Sequence, residues 1–487
     1  MKTEVHPIAS AAATTEPSGS IRWALASLSL PMLMSSLDTS IANAGLPTFA
    51  QVFGATFQEV QWIVLAYLLA ITTLIVSAGR LGDMIGRKRL LLGGIYLFTI
   101  ASVLCGLAPT LWLLVVARAA QGLGAATMMA LSIAFVGETV PKARIGSAMG
   151  LLGTMSAVGT ALGPSLGGFL ISALSWRAIF LVNVPVGILT LLLAHRYLPI
   201  DRAIARFERV KFDTLGTVLL ALTLASYALA MTIGRGSFGP LTLALLIAAL
   251  VGCAFFLFVE ARVQAPLVRL VMFRDLSLSA SLAMSLLVST VMMSTLVVGP
   301  FYLSLALGLD AARVGLLLSV GPIVVAFTGV PAGRIADRFG ARLVSIAGLA
   351  AMAAGCLLLS LIPDSFGIVG YILPIVVTTS GYAFFQTSNN TVVMAGVLPD
   401  QRGLISGMLN LSRNLGLITG ASVMGALFAL ASKTTDMASA HPELVASGMR
   451  MTFAVAAGLM VLALVIAAGS RARASRATNS VPNRARS

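Results

Sequence analysis

GRLGDMIGRK, from Gly79 to Lys88, and GRIADRFGAR, from Gly333 to Arg342, are one basic, glycine-punctuated turn written twice, each copy lying between long apolar runs. Gly79, Arg80, Asp83, Gly86 and Lys88 recur in register as Gly333, Arg334, Asp337, Gly340 and Arg342. Five positions agreeing across so long a separation mark a chain built from two related halves. Duplicated membrane helices are the plan of a transporter.

A second set of residues repeats at almost the same spacing. Gly146, Gly150, Gly159, Gly163 and Gly168 fall on Gly403, Gly407, Gly416, Gly420 and Gly425. Small residues let membrane helices approach closely where no hydrophobic drive holds them together. All five glycine pairs are therefore expected at tight helix contacts.

The composition agrees with a membrane setting. With 58% hydrophobic and 10% charged residues over a length of 487, the chain has more apolar surface than a soluble core can bury. Its formal charge of +15 sits in short connectors rather than on one face, which argues against a nucleic-acid partner and reads as a topology signal. Fourteen apolar stretches reach the length of about 17 to 25 residues that crosses a bilayer. If both termini are cytoplasmic, only Arg177, Arg235, Arg313, Lys433 and Arg450 lie outside, and only Arg118 and Arg413 lie within helices. Every other Lys and Arg is then inside, as orientation by positive charge requires.

The expected fold is all-α and integral to the membrane. A cytoplasmic tail (1–22) precedes a six-helix bundle (23–194), a basic connector (195–212) with Arg196, Arg202, Arg206, Arg209 and Lys211, and an inserted helix pair (213–259). A cytoplasmic connector (260–276), a second six-helix bundle (277–469) and a tail (470–487), expected to be disordered, complete the chain. An even number of helices separates the bundles, so they are parallel repeats related by a pseudo-two-fold axis along the membrane normal. The first apolar run is too long for a secretory signal core, and no cleavage is expected.

Enzyme chemistry finds no foothold. Cys105, Cys253 and Cys356 lie in different helices, and His6, His195 and His441 lie in tails or connectors, with no disulfide or metal spacing among them. No nucleophile stands beside a base in a recognisable pattern. Neither catalytic residues, a metal nor a cofactor is expected.

Further motifs accompany the turns: LDTSIANAGLP (Leu37 to Pro47), ARAAQGLGA (Ala117 to Ala125), GTALGPSLGG (Gly159 to Gly168) and WRAIFLVNVPVG (Trp176 to Gly187). In this order and spacing the chain, over residues 23 to 469, resembles the major facilitator superfamily, and within it the fourteen-helix drug:proton antiporters. The second half departs from the pattern, with Ala421 where Pro164 maps and Ile375 where Arg118 maps. Any coupling machinery is therefore expected in the first half.

Asp38 is the one carboxylate well inside a predicted span, a placement that costs about 2.5 to 3.5 kcal/mol on insertion scales. Counted along the helices, it lies roughly 22 Å from the inner end of the first helix, and Arg118 lies roughly 20 Å from the inner end of the fourth. The two charges are at similar depth. In the fold that this chain resembles, those helices are neighbours, so a pair is possible. Burial favours the neutral acid and a neighbouring guanidinium favours the carboxylate, so movement of Arg118 would switch Asp38 between taking up and releasing a proton. The plain alternatives are an ion pair that only locks two helices, or an Asp38 solvated from outside.

At the turns, glycines permit a tight connector and the cations hold it in the cytoplasm. The resemblance implies more: Gly79, Arg80, Asp83, Gly86, Arg87, Lys88 and Arg89, with Gly333, Arg334, Asp337 and Gly340, would latch the halves on the cytoplasmic side. It also implies that Gly159, Gly163, Pro164, Gly167 and Gly168 form the exporter signature helix, where Pro164 removes a helical hydrogen bond and can bend the chain. Asn43, Gln121, Tyr382, Gln386, Asn389, Asn390, Asn410 and Asn414 become candidates to line a central cavity, with interhelical hydrogen bonding as the competing role for each.

The function this implies is proton-coupled export, by alternating access, of bulky, moderately apolar, neutral or monocationic drugs or toxic compounds. A dedicated metabolite exporter or a proton symporter for one solute is the alternative, and a non-transporting receptor or scaffold is a remote one. The expected location is the inner membrane of a bacterium, and the partners are a small-molecule substrate, protons and lipid. An outer-membrane or adaptor partner stays open. No nucleotide-binding loop occurs, which leaves the proton gradient as the energy source. One proton moving down 100 mV releases about 2.3 kcal/mol, enough for roughly a 50-fold gradient of a neutral solute.

Overall fold

The computed structural model describes residues 18–55, 57–199, 213–233, 239–263, 266–268, 270–309, 311–398, 401–432 and 441–479. The tail before Ser18, the last residues beyond Asn479, and Arg202, Arg206, Arg209, Lys211, Arg235 and Lys433 lie outside the described residues. Within them the regular structure is helical.

The first half comprises α1 (Ser18–Phe53), α2 (Phe57–Ile85), α3 (Arg87–Leu107), α4 (Leu111–Thr139), α5 (Ile145–Ala173), and a last span broken into α6 (Ala178–Leu181) and α7 (Asn183–Tyr197). The inserted pair is α8 (Thr214–Ile233) and α9 (Pro240–Glu260). The second half comprises α10 (Leu276–Phe301), α11 (Ala311–Phe339), α12 (Ala341–Leu361), α13 (Gly367–Gly396), α14 (Arg402–Ala431) and α15 (Pro442–Asn479).

Among the described residues, thirteen helices are long and apolar enough to cross a membrane. The expected fourteenth, α1, is not among them. Ser35, Ser36, Asp38, Thr39 and Ser40 interrupt its apolar run. The polar segment after Gly469, expected to be disordered, instead continues α15 as helix to Asn479. Alanine and arginine in that stretch have high helix propensity, and propagating an existing helix avoids the cost of a new nucleus.

The pseudo-symmetry is visible in which helices touch. In the first half α1 packs on α5, α2 on α4, α3 on α4, and α1 on α7; in the second, α10 packs on α14, α11 on α13, α12 on α13, and α10 on α15. The seam between the halves is equally symmetric, formed by α2 against α14 and by α5 against α11. The inserted pair leans on that seam, since α8 touches both α2 and α14 and the Tyr227 hydroxyl bonds the Thr419 hydroxyl.

Two of the repeated features have plain backbone reasons. Gly86 and Gly340 cap α3 and α12 with φ of 108° and 92°, a region closed to residues with a Cβ at ordinary cost. Gly79 and Gly403 approach so closely that a Cβ on either would strike the other's carbonyl oxygen. Gly146 and Gly333 do the same across the other seam. Further along, Gly159 meets the backbone of α1 and Gly416 that of α10, so one helix uses one end on the opposite half and its middle on its own. The fifth pair departs from expectation: among the described residues nothing comes within 4 Å of a Cβ built on Gly168, and one on Gly425 meets only a Val297 side chain, at 3.5 Å.

Candidate functional site

Inside the first bundle, five helices converge on one carboxyl group. Asp38 on α1 and Arg118 on α4 form an ion pair, and both side chains are 0% exposed. Gln121, one helical turn beyond Arg118, donates through Nε2 to Asp38 Oδ1 at 2.8 Å and to Ser102 Oγ on α3 at 2.8 Å. From the start of α7, Asn183 Nδ2 donates to the same Oδ1 at 2.8 Å. Arg118 is held in turn: Nε donates to the Ile63 carbonyl of α2 at 3.0 Å, Nη1 donates to Gln121 Oε1 at 2.6 Å, and the Tyr67 ring lies 4.2 Å beneath its guanidinium carbon.

All three groups facing Asp38 are N–H donors, from Arg118, Gln121 and Asn183. That set suits a carboxylate and offers no acceptor to an acid O–H. Among the described residues, two atoms remain unpartnered in the buried cluster, Arg118 Nη2 and Asn183 Oδ1. An amide that turned over would present Asn183 Oδ1 to a protonated Asp38, so the same residue can serve both forms of the acid.

Gln121, grouped above with the cavity candidates, thus belongs by geometry to the ion pair. Asn183, Ser102 and Tyr67 are members that the sequence reading missed. Gln121 carried a usable signal, since it sits three residues from Arg118 and so on the same helix face. In the second half, Ile375 occupies the place of Arg118 and is buried among apolar residues with Phe385 and Met352.

Losing one donor to a charged group costs about 1.5 to 3 kcal/mol. Asn183→Ala and Gln121→Ala should each lower thermal stability in detergent by that amount. Asn43→Ala should stay within about 0.5 kcal/mol, because Asn43 is exposed and, among the described residues, bonds only the Thr39 carbonyl, at 3.1 Å. Equal melting temperatures for all three variants would contradict this placement.

The turns are built as a matched pair of clasps. Asp83 at the end of α2 accepts from the Gly403 and Leu404 amides of α14, both at 2.9 Å, and from Arg87 at 2.7 Å. Arg87 also pairs with Glu138 of α4. Asp337 at the end of α11 accepts from the Gly146 amide at 2.9 Å, the Ser147 amide at 3.0 Å and the Ser147 hydroxyl at 2.7 Å, all at the start of α5. Each aspartate therefore caps a helix of the opposite half, where exposed N–H groups and the helix dipole favour an anion.

The other turn residues do less across the seam. Lys88 Nζ donates to the Leu198 carbonyl at 2.7 Å within its own bundle, and Arg334 and Arg89 are exposed. Arg80 lies partly buried near the inserted pair.

The remaining cavity candidates are scattered. Asn389 is buried in the second bundle, donates to the Ser281 carbonyl at 3.3 Å and lines a small pocket with Ser277, Arg342 and Ser345. Asn410 donates to the Ser406 carbonyl of its own helix at 3.0 Å. Gln386 Oε1 and Asn390 Oδ1 are buried without a partner among the described residues, while Tyr382 and Asn414 are half-buried. Helix α5 runs unbroken through Pro164, and Gly167 is buried.

The model of the Major Facilitator Superfamily matches residues 28–421 and, in a second match, 280–486. The multidrug resistance protein Stp of Mycobacterium tuberculosis is 33% identical over 411 residues, covering 82% of this chain and 74% of its own. The riboflavin transporter RibZ of Clostridioides difficile is 27% identical over 435 residues, covering 89% and 94%. Among solved structures, the proton:xylose symporter XylE superposes with a TM-score of 0.66 at 16% identity, covering 92% of this chain and 95% of that one.

Proposed function

The chain belongs to the major facilitator superfamily and is a multi-pass membrane transporter of small molecules, and from that premise we propose that it exports bulky, moderately apolar, neutral or monocationic compounds in exchange for protons. The buried cluster around Asp38 carries this reading. A carboxyl group inside a membrane bundle, paired to a single arginine and ringed by amides that can adapt to either form, is the minimum equipment for taking up and releasing a proton.

In the arrangement described, the clasps at Asp83 and Asp337 hold the turn end shut, and Asp38 is engaged with Arg118. Protonation of Asp38 removes the charge that holds Arg118. α1 then loosens from α4, and through α5, which packs on both α1 and α11, the change reaches the seam. The turn end opens to the cytoplasm, substrate enters from there, and departure of the proton restores the pair. The cation-rich connectors support a cytoplasmic side for the turns and both termini. No bound cofactor takes part, and the location is the inner membrane of a bacterium.

The test is purified protein in liposomes with an imposed pH gradient and ethidium as a monocationic probe. Uphill ethidium transport that collapses when the gradient is dissipated is the expected result. A second reading, dedication to one metabolite, is favoured by the similarity to a protein named as a riboflavin transporter. Riboflavin in the same assay separates the two: transport of riboflavin with no movement of ethidium would replace the drug-export reading.

A further inference from the structure

The inserted helix pair contains two acidic groups that the exchange mechanism leaves unused. Asp213 precedes α8, where its Oδ1 accepts from the Gly216 amide at 2.7 Å and its carbonyl accepts from the Thr217 hydroxyl at 2.7 Å. Glu260 ends α9, is only 3% exposed, and accepts through Oε2 from the Val268 amide at 3.4 Å. Each carboxyl thus has one oxygen engaged. The others, Asp213 Oδ2 and Glu260 Oε1, are buried and have no hydrogen-bond partner among the described residues.

These two oxygens lie against the same glycine. A β-carbon built on Gly216 would stand 2.5 Å from Asp213 Oδ2 and 2.6 Å from Glu260 Oε1. Two ionised carboxylates in that position repel, and among the described residues no donor bonds the two oxygens nearest the glycine. One proton between them converts the repulsion into a strong charge-assisted hydrogen bond. We infer that Asp213 and Glu260 form a second proton-binding site, in which a single proton bridges Asp213 Oδ2 and Glu260 Oε1 at the foot of the inserted pair.

The site adjoins the clasp. Among the described residues, the charged groups that act on Glu260 are Asp213 and Arg80 of α2. Of the other neighbours, Arg262 stacks 4.2 Å over Phe258, and α14 meets α8 through the neutral pair Tyr227 and Thr419. Arg80 lies three residues before Asp83, which caps α14. Loss of the bridging proton leaves two negative charges facing Arg80 and draws the turn onto the inserted pair. The added helices thereby make the seam sensitive to protons at the turn end, a role separate from the pair at Asp38.

The experiment uses full-length protein carrying Asp38→Asn, so that Asp38 contributes nothing to the signal, and reads the infrared carbonyl stretch of protonated carboxyl groups at neutral pH. The parent should show a hydrogen-bonded carboxyl band, and Glu260→Gln and Asp213→Asn should each remove one carboxyl equivalent. Both replacements supply an N–H in place of the proton, and if one fails to fold the other gives the reading. A band left intact by both substitutions, or absent from the parent, overturns the proposal. So does a band that sodium or potassium displaces at constant pH, since the oxygens would then hold a metal cation. Because Asp38 is already removed, failure here leaves the exchange reading untouched, and failure of that reading leaves this band in place.

Discussion

Asp38→Asn should insert and fold yet lose all uphill transport, so that the roughly 50-fold gradient supported by one proton at 100 mV falls to none. The argument rests on what the carboxyl group meets. Arg118, Gln121 and Asn183 all donate to it, and it is fully buried. Asparagine keeps the size and an acceptor oxygen but cannot alternate between charged and neutral. It also leaves Arg118 uncompensated, which costs about 3 to 5 kcal/mol when one partner of a buried pair is removed. Adding Arg118→Gln should therefore restore thermal stability without restoring transport. A purely structural pair would behave differently, with stability and gradient-driven transport recovering together in the double variant. Ethidium flux and thermal unfolding, measured on the same preparations, check both halves of the prediction.

The second large effect is expected at the clasp. Asp83 takes two backbone amides of α14 and the Arg87 guanidinium. A hydrogen bond to a charged group contributes about 1.5 to 3 kcal/mol, so Asp83→Ala should shift the balance between openings by about tenfold to a hundredfold away from the form closed at the turn end. Maleimide labelling of a cysteine placed at Ser406, buried against the Ala130 carbonyl of α4, reports that shift. Cys253 is exposed and would be replaced beforehand, whereas Cys105 and Cys356 are buried. Faster labelling is expected in Asp83→Ala and, by the pseudo-symmetry, in Asp337→Ala. Unchanged labelling in both would mean that the turns serve only as connectors.

The repeat was legible because its causes are local and specific to residue type. A positive φ at Gly86 and Gly340, and backbone contact at Gly79 and Gly403, exclude other side chains, so the same letters return at matched positions. The depth of Asp38 and Arg118 was legible because helical rise converts residue count into distance. Which side chains complete their cluster was not. Ser102, Tyr67 and Asn183 are single polar residues on different apolar helices, and nothing in a one-dimensional pattern says that their faces converge. The acids of the inserted pair were hidden for a related reason: Asp213 and Glu260 fall at helix ends, where charge is ordinary, and only the packing of α8 on α9 shows them facing one glycine. The fifth glycine pair misled because register alone cannot tell a helix contact from an open face.

The central claim is that Asp38 changes its protonation between the two openings. Its most direct test is infrared spectroscopy of the carboxyl stretch in protein trapped by engineered cross-links, once with the turn end closed and once with it open, each compared with Asp38→Asn trapped in the same way. A carboxyl band assigned to Asp38 by that comparison should be absent with the turn end closed and present with it open. A carboxylate at Asp38 that stays ionised and bound to Arg118 in both forms would contradict the account.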